Sequence, residues 1–375
     1  VIKYLGSKRR LVPVLADIGR RVGARRVLDL FSGTTRVSQA FKAGGATVTA
    51  VDRTRCAWVL ARCYVATDAT AIDLDALGQA IAELQAEPGR PGYVTETFCQ
   101  RARFFQPHNG TRIDAVRQAI ADRYAGTELE PVLLTSLIEA ADRVDSTVGV
   151  QMAYVKQWAP RSYRPLELRV PKLLAGAGQA VRADACAVVD RLGVFDLAYL
   201  DPPYNQHRYE ANYHIWETLV AWDDPPHYGV ACKRQEVRDS EASAFNRRAT
   251  CHQALARVVG AVQARVVVVS CNDESWVAPA EVAALVAGRG AVATLAFPGR
   301  RYVGAQIGIY DGDGRRVGIP GRSHNRELLV VAGPPSDVGA VAEAWADHLM
   351  VLEGADPVSA GGLHAGRAGG RADRS

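Results

Sequence analysis

Apolar residues at Leu11, Val12, Leu15 and Ile18 recur at helical spacing, so Lys8 to Gly19 predicts an amphipathic helix. The next apolar run is contiguous. Val27-Leu28-Asp29-Leu30-Phe31 predicts a short strand, followed by the polar turn Ser32-Gly33-Thr34-Thr35. Helical spacing returns at Val37, Ala40 and Phe41, and Gly44-Gly45 ends it. Thr47-Val48-Thr49-Ala50-Val51 predicts a second strand closing on Asp52, and a helix with Trp58, Val59 and Ala61 follows. This strand, helix, strand, helix succession is a βαβ unit and implies a parallel sheet.

The pattern then changes. Residues 68 to about 176 read as mostly helical, with polar breaks at Glu87–Gly92 and Gln106–Gly110. The α/β rhythm resumes with strands at Phe195–Leu200, Arg265–Ser270, Val292–Phe297 and Leu328–Ala332. Helices are expected at Tyr213–Ala221, His252–Gln263 and Pro279–Ala287. The reading is one discontinuous α/β domain, residues 1–67 and 177–335, interrupted by a helical insertion at 68–176. A helix is expected over 336–352. The Gly-, Ala- and Arg-rich stretch 353–375 reads as a disordered tail.

Composition narrows the class. The chain has 375 residues, 48% hydrophobic and 23% charged, enough for a sizeable core. A net charge of +5 is compatible with a polyanionic partner. The seven cysteines are scattered without a Cys-x-x-Cys pair, so neither a disulfide framework nor a zinc site is expected, and a reducing cytoplasm is. No signal peptide and no apolar run of spanning length are evident, so no membrane association is expected. The first residue is Val, as an alternative start codon or a trimmed end would leave.

The densest chemistry is Asp201-Pro202-Pro203-Tyr204, which closes the strand Phe195–Leu200. Two prolines fix φ and lack N–H groups, so the loop is stiff and presents bare carbonyls. The Asp201 carboxylate and Pro202 carbonyl can accept both hydrogens of an exocyclic amine, and Tyr204 can stack on the ring that carries it. A flipped-out nucleobase offers such an amine. Elsewhere, Asp29–Thr35 is a strand-to-helix turn whose Gly33 permits close backbone approach to a ligand. Asp52 ends the next strand, where an acid commonly takes the hydroxyls of a ribose. Gly-x-Gly-x-x-Gly and Gly-Lys-Ser/Thr are both absent here, which disfavours a dinucleotide or nucleoside triphosphate. A nucleoside without pyrophosphate fits better, and S-adenosylmethionine is the common one. No metal is called for.

Tyr4-Leu5-Gly6-Ser7-Lys8, Asp29–Thr35, Asp52 and Asp201–Tyr204, in that order, resemble the Dam-like, alpha-group N6-adenine DNA methyltransferases of restriction–modification systems. The likeness covers residues 3–66 and about 184–332. It departs at Tyr4, where the family often has Trp, and at Ser7, often Gly. It implies a Rossmann-like S-adenosylmethionine-dependent sheet with a helical target-recognition insertion. Double-stranded DNA is the implied substrate, with a cognate restriction endonuclease encoded nearby, and a monomer is expected. It implies a catalytic Asp201, Pro202, Pro203 and Tyr204, and cofactor contacts from Tyr4, Lys8, Asp29, Phe31, Gly33, Asp52, Asp184 and Asp201. Asp184 reads equally as a helix cap. In the insertion, Arg101, Arg103, Arg112, Arg143, Lys156, Arg161, Arg164, Arg169 and Lys172 alternate with Phe104, Phe105, Tyr154, Trp158 and Tyr163, a composition suited to phosphates and bases. The alternatives are N4-cytosine transfer on the same fold, RNA or protein-glutamine methylation, and a non-catalytic DNA-binding relative. Asp rather than Ser or Asn before Pro-Pro-Tyr favours adenine.

Overall fold

The computed structural model describes residues 2–4, 6, 8–155, 157–203, 205–300 and 324–352. The expectations for Tyr204, Lys156 and the tail 353–375 lie outside the described residues. Seven strands form one sheet: β1 (Arg26–Asp29), β2 (Thr47–Asp52), β3 (Gln179–Arg182), β4 (Val194–Leu200), β5 (Gln263–Asn272), β6 (Ala291–Arg300) and β7 (His324–Gly333). Their order is β3-β2-β1-β4-β5-β7-β6. The first five are mutually parallel, and β7 runs antiparallel to both its neighbours.

Burial on both faces explains why the central strands are almost wholly apolar. On one face Leu197, Tyr199, Val266 and Val268 pack against α1 (Val12–Arg21), α2 (Arg36–Ala43) and the helix Pro335–Ala344. On the other, Leu28, Ala198, Val267 and Val269 meet the helices Cys251–Ala261 and Pro279–Val286. A third core lies beside the sheet. It joins α3 (Arg55–Ala61), α4 (Leu74–Ala86), α5 (Pro107–Tyr124), α6 (Glu130–Val144) and the helix His214–Ala221.

Several expectations change. The helix expected from Lys8 starts at Val12, with Pro13 in its first turn, where a missing N–H is harmless. The break expected at Gln106–Gly110 is instead the start of α5, opened by Pro107 for the same reason. The helical reading of the insertion fails after Val144. To Gly178 the described residues hold one 3₁₀ turn, Pro160–Tyr163, in an otherwise irregular run. Helix side chains take over the pairing of its backbone. Leu166 N–H donates to Asn109 Oδ1 (2.9 Å), Leu168 N–H to Gln85 Oε1 (2.7 Å) and Arg169 N–H to Ser136 Oγ (3.1 Å). β3 was not expected, because a four-residue edge strand reading Gln-Ala-Val-Arg carries no apolar alternation. The hairpin His227–Tyr228 with Lys233–Arg234 is shorter still. The helix expected over 336–352 ends at Ala344.

Asp114 on α5 holds the insertion together. Its buried carboxylate accepts from the backbone N–H of Gly92 (2.9 Å), Val94 (2.8 Å) and Thr95 (2.8 Å) and from Thr95 Oγ1 (2.6 Å). It thereby caps the π-helical turn Thr95–Arg101. Replacement by Ala would orphan three buried donors. Asp114→Ala is expected to lower stability by about 2–4 kcal/mol, read as the loss of unfolding free energy in urea titrations.

Candidate active site

The chain runs outward from β1 through β2 to β3, then returns on the other side of β1 as β4. The gap between β1 and β4 is thus a topological switch point, where open α/β sheets bind ligands at the carboxyl ends of their strands. Four adjacent strands deliver an acid to that edge. Asp29 ends β1, Asp52 ends β2, Asp184 lies two residues past β3, and Asp201 follows β4 directly. The cleft over this edge encloses about 910 Å³ of empty space including its solvent mouth. Tyr4, Lys8, Asp29, Phe31, Gly33, Asp52, Asp184 and Asp201 all line it, although the sequence brings them from five separate segments. Pro203 lines it as well, whereas Pro202 is buried against a smaller apolar cavity with Trp276 and Val277.

The turn after β1 is built for close approach. Gly33 has φ +47°, and a Cβ there would sit 3.3 Å from the Tyr4 ring. Thr35, fully buried, takes φ +62°, a conformation that a β-branched residue adopts at a cost of about 1–3 kcal/mol. Its N–H bonds Ser32 O at 2.7 Å and its hydroxyl accepts from Gln39 Nε2 at 3.0 Å, which hold it there. Asp52 braces the same turn, accepting from Gly33 N–H (3.0 Å) with one oxygen and from Thr54 N–H and Oγ1 (both 2.9 Å) with the other. Tyr4 is stacked on Tyr213 (4.5 Å between centroids) and Tyr209 (5.2 Å). Asp184 caps a short helix by accepting from Cys186 N–H at 2.9 Å, and it also lines the cleft.

Charge dominates the chemistry. Burial, with Asp201 and Asp52 nearby, pushes the Asp29 carboxyl up to about 7, against the Ser38 Oγ hydrogen bond at 2.6 Å. Burial likewise raises Asp52 and Asp201. The opposing cation is Lys8, whose Nζ lies 3.1 Å from Asp201 Oδ1 and 3.3 Å from Glu327 Oε2. Asp29 Oδ1 is buried without a hydrogen-bond partner among the described residues. An amino acid ammonium group would satisfy it. Phe31 and Phe245, edge to face at 5.1 Å, form an apolar wall near Asp184 suited to a flat ring. These donors and surfaces fit S-adenosylmethionine. Among the described residues no cysteine lines the cleft.

The insertion differs from its sequence reading. Phe104 and Phe105 are core residues, 0% and 1% exposed, and stack on no base. Arg101, Arg161 and Arg169 pair with Glu96, Asp145 and Glu167 at 2.6, 2.6 and 2.7 Å. Arg112 and Arg143 donate to the carbonyls of Gln85 and Glu167. The Arg103 guanidinium lies over the Trp158 ring. Tyr163, Arg164 and Lys172 are exposed, as are the paired Arg101 and Arg169. The sequence reasoning also missed Phe245 and Glu327. Phe245 sits in a weakly patterned stretch, and Glu327 looks like the polar lead-in to an apolar strand.

Asp29 gives a test with a defined sign. Its pKa in the fold exceeds the value of about 4 in an unfolded chain. Between about pH 4 and 7 the folded state keeps a proton that the unfolded chain has lost, so this group's stabilisation is present at low pH and fades as pH rises through that window. Asp29→Asn is therefore expected to gain stability over the wild type at pH 8, by on the order of a few kcal/mol, and to gain less at pH 5. The same variant should bind S-adenosylhomocysteine more weakly. Urea unfolding at the two pH values and titration calorimetry check both.

Known proteins are similar to this chain over much of its length. The chain is similar to the type II methyltransferase M.NlaIII of Neisseria lactamica, 30% identical over 257 residues, which are 64% of this chain and 76% of that protein. It is similar to modification methylase StsI of Streptococcus sanguinis, 29% identical over 248 residues, covering 61% of this chain and 38% of that one. It is also similar to type II methyltransferase M.FokI of Planomicrobium okeanokoites, 25% identical over 326 residues, covering 80% and 50%. The chain thus spans half or less of the length of the latter two relatives. The family match runs over residues 4–250, from the aromatic ring above Gly33 through the whole acidic edge to Phe245, and this chain belongs to the D12 class N6 adenine-specific DNA methyltransferase family.

Proposed function

We propose that this chain methylates N6 of an adenine flipped out of duplex DNA, with S-adenosylmethionine as donor, and serves as the modification component of a restriction–modification system. The observation that carries the reading is Asp201. It follows β4 at the switch point, in the cleft where the buried Asp29 oxygen has no hydrogen-bond partner among the described residues. The names of the similar methyltransferases and modification methylases support the restriction–modification setting.

When bound, S-adenosylmethionine supplies an electrophilic methyl group on a sulfonium. The chain's own work is at the amine. The N6 lone pair is delocalised into the adenine ring, so the amine is a poor nucleophile. The Asp201 carboxylate and the Pro202 carbonyl would accept its two hydrogens and favour a more tetrahedral nitrogen. The stiff Pro-Pro loop fixes that geometry, so positioning is the main device. Lys8, beside it, opposes the burial that raises Asp201 and so favours its ionised form. The negative edge then favours positive charge developing on nitrogen. Tyr4 and Lys8, with Asp29, Asp52 and Asp184, would hold the donor, and Tyr204 would stack on the flipped base.

For DNA reading we propose the insertion 68–176, with the exposed Tyr163, Arg164 and Lys172 as its contacts and Arg112, Arg143 and Arg161 as braces within it. Among the described residues no helix is long and apolar enough to cross a membrane.

Digestion of treated DNA to nucleosides, followed by mass analysis, is expected to show N6-methyladenine. N4-methylcytosine as the sole product would overturn the adenine assignment. Asp201→Ala should lose roughly 10²–10³-fold in transfer rate while retaining affinity for S-adenosylhomocysteine. Wild-type turnover in that variant would remove Asp201 from the mechanism.

A further inference from the structure

Glu327 lies outside every motif that marks the site. It is the fourth residue of β7, paired with Asn272, the last residue of β5. Because β7 runs antiparallel, its first residues come to the same edge as the last residues of the parallel strands. The Glu327 carboxylate is thereby brought to within 3.3 Å of Lys8 Nζ. The Lys8 ammonium, 6% exposed, sits between this carboxylate and that of Asp201 at 3.1 Å. The Glu327 side chain is 24% exposed and the Asp201 side chain 18%.

We propose that Glu327 is a positioning residue for methyl transfer, which shares Lys8 with Asp201 and so leaves Asp201 able to accept hydrogens from the target amine. The inference rests on the function proposed above. Its logic is competition for one cation. An ammonium held by Asp201 alone would occupy the lone pairs that the amine needs and neutralise the carboxylate. Drawn partly toward Glu327, the same ammonium still supports the ionised form of Asp201 without saturating it. The charge balance also matters. With both acids ionised, Lys8, Asp201 and Glu327 together carry one negative charge. During transfer positive charge moves from sulfur to the adenine nitrogen, so a net anion beside that nitrogen favours the transition state over the bound reactants. Without the Glu327 charge the trio is neutral and that preference is lost. Asp29 and Asp52 lie on the same edge but form no ion pair with Lys8.

The test compares wild type with Glu327→Gln, which keeps the shape and removes the charge, and Glu327→Asp, which keeps the charge. Three quantities are measured: the single-turnover methylation rate on duplex DNA, the dissociation constant of S-adenosylhomocysteine, and the position of Lys8 in crystals of each protein. Glu327→Gln is expected to slow transfer ~10–100-fold, a larger change than that in the dissociation constant, which Lys8 also influences. Its Lys8 should have moved onto Asp201 alone, and Glu327→Asp should recover most of the rate. A wild-type rate in Glu327→Gln would overturn the proposal. So would equal losses in both variants with Lys8 in place and a lowered melting temperature, the signature of a structural role. If wild-type protein leaves DNA unmodified, the proposed function fails, and the position of Lys8 in Glu327→Gln still decides whether Glu327 governs it.

Discussion

Carboxylates crowded at one edge of a parallel sheet are the constraint on which this site depends. Strands β3, β2, β1 and β4 each deliver an acid to the switch point, and β7 adds Glu327 from the opposite direction. Burial raises Asp29, Asp52 and Asp201, and a neighbouring carboxylate adds to each: Asp201 and Asp52 at Asp29, Glu210 at Asp52, and Glu327 at Asp201. Lys8 meets only part of that charge, and one oxygen of Asp29 has no partner among the described residues. Such an edge is costly in the ligand-free protein and complementary to a cationic ligand. A sulfonium bearing an amino acid ammonium is such a ligand, and the amine that it methylates passes through a positively charged state.

The surroundings keep the edge from relaxing. Glu217, on the helix His214–Ala221, accepts from the first backbone N–H groups of α3, Arg55 at 3.0 Å and Cys56 at 2.8 Å. The element after Asp201 is thereby tied to the element after Asp52. Asn246 Nδ2 donates to the carbonyls of Asn205 (2.9 Å) and His207 (3.1 Å), which pins the chain leaving the tetrapeptide. Phe245, its neighbour, lines the cleft over the acidic edge. The insertion shares its core with α3 and the helix His214–Ala221, so its helices are anchored to the flank of the site. Two rings, Tyr209 and Tyr213, extend the stack begun by Tyr4.

Much of this was legible in the sequence, for identifiable reasons. Contiguous apolar runs at Val27–Phe31 and Phe195–Leu200 announce central strands, and an acid at the end of such a run marks the binding edge of a parallel sheet. Asp29, Asp52 and Asp201 were therefore readable by position. Other parts were not. β3 is short, polar and at an edge, so it carries no periodic signal. Glu327 acts because an antiparallel strand returns to the edge, a fact of pairing and not of local pattern. The insertion misled because aromatic and basic residues serve a helical core and its ion pairs as readily as a nucleic-acid surface. Phe104 and Arg161 are instances of each. Past Val144, backbone groups paired by side chains of distant helices have no local signature at all.

Titration of the protein with S-adenosylhomocysteine near pH 7, in buffers of different ionisation enthalpy, tests the acidic edge most directly. The ligand carries the amino acid ammonium without the sulfonium. If that ammonium meets the partnerless oxygen of Asp29, the carboxyl loses the proton that burial imposes, and binding releases protons to the buffer. The account predicts net proton release that disappears in Asp29→Asn. Binding heats that do not depend on the buffer, or net proton uptake, would contradict it.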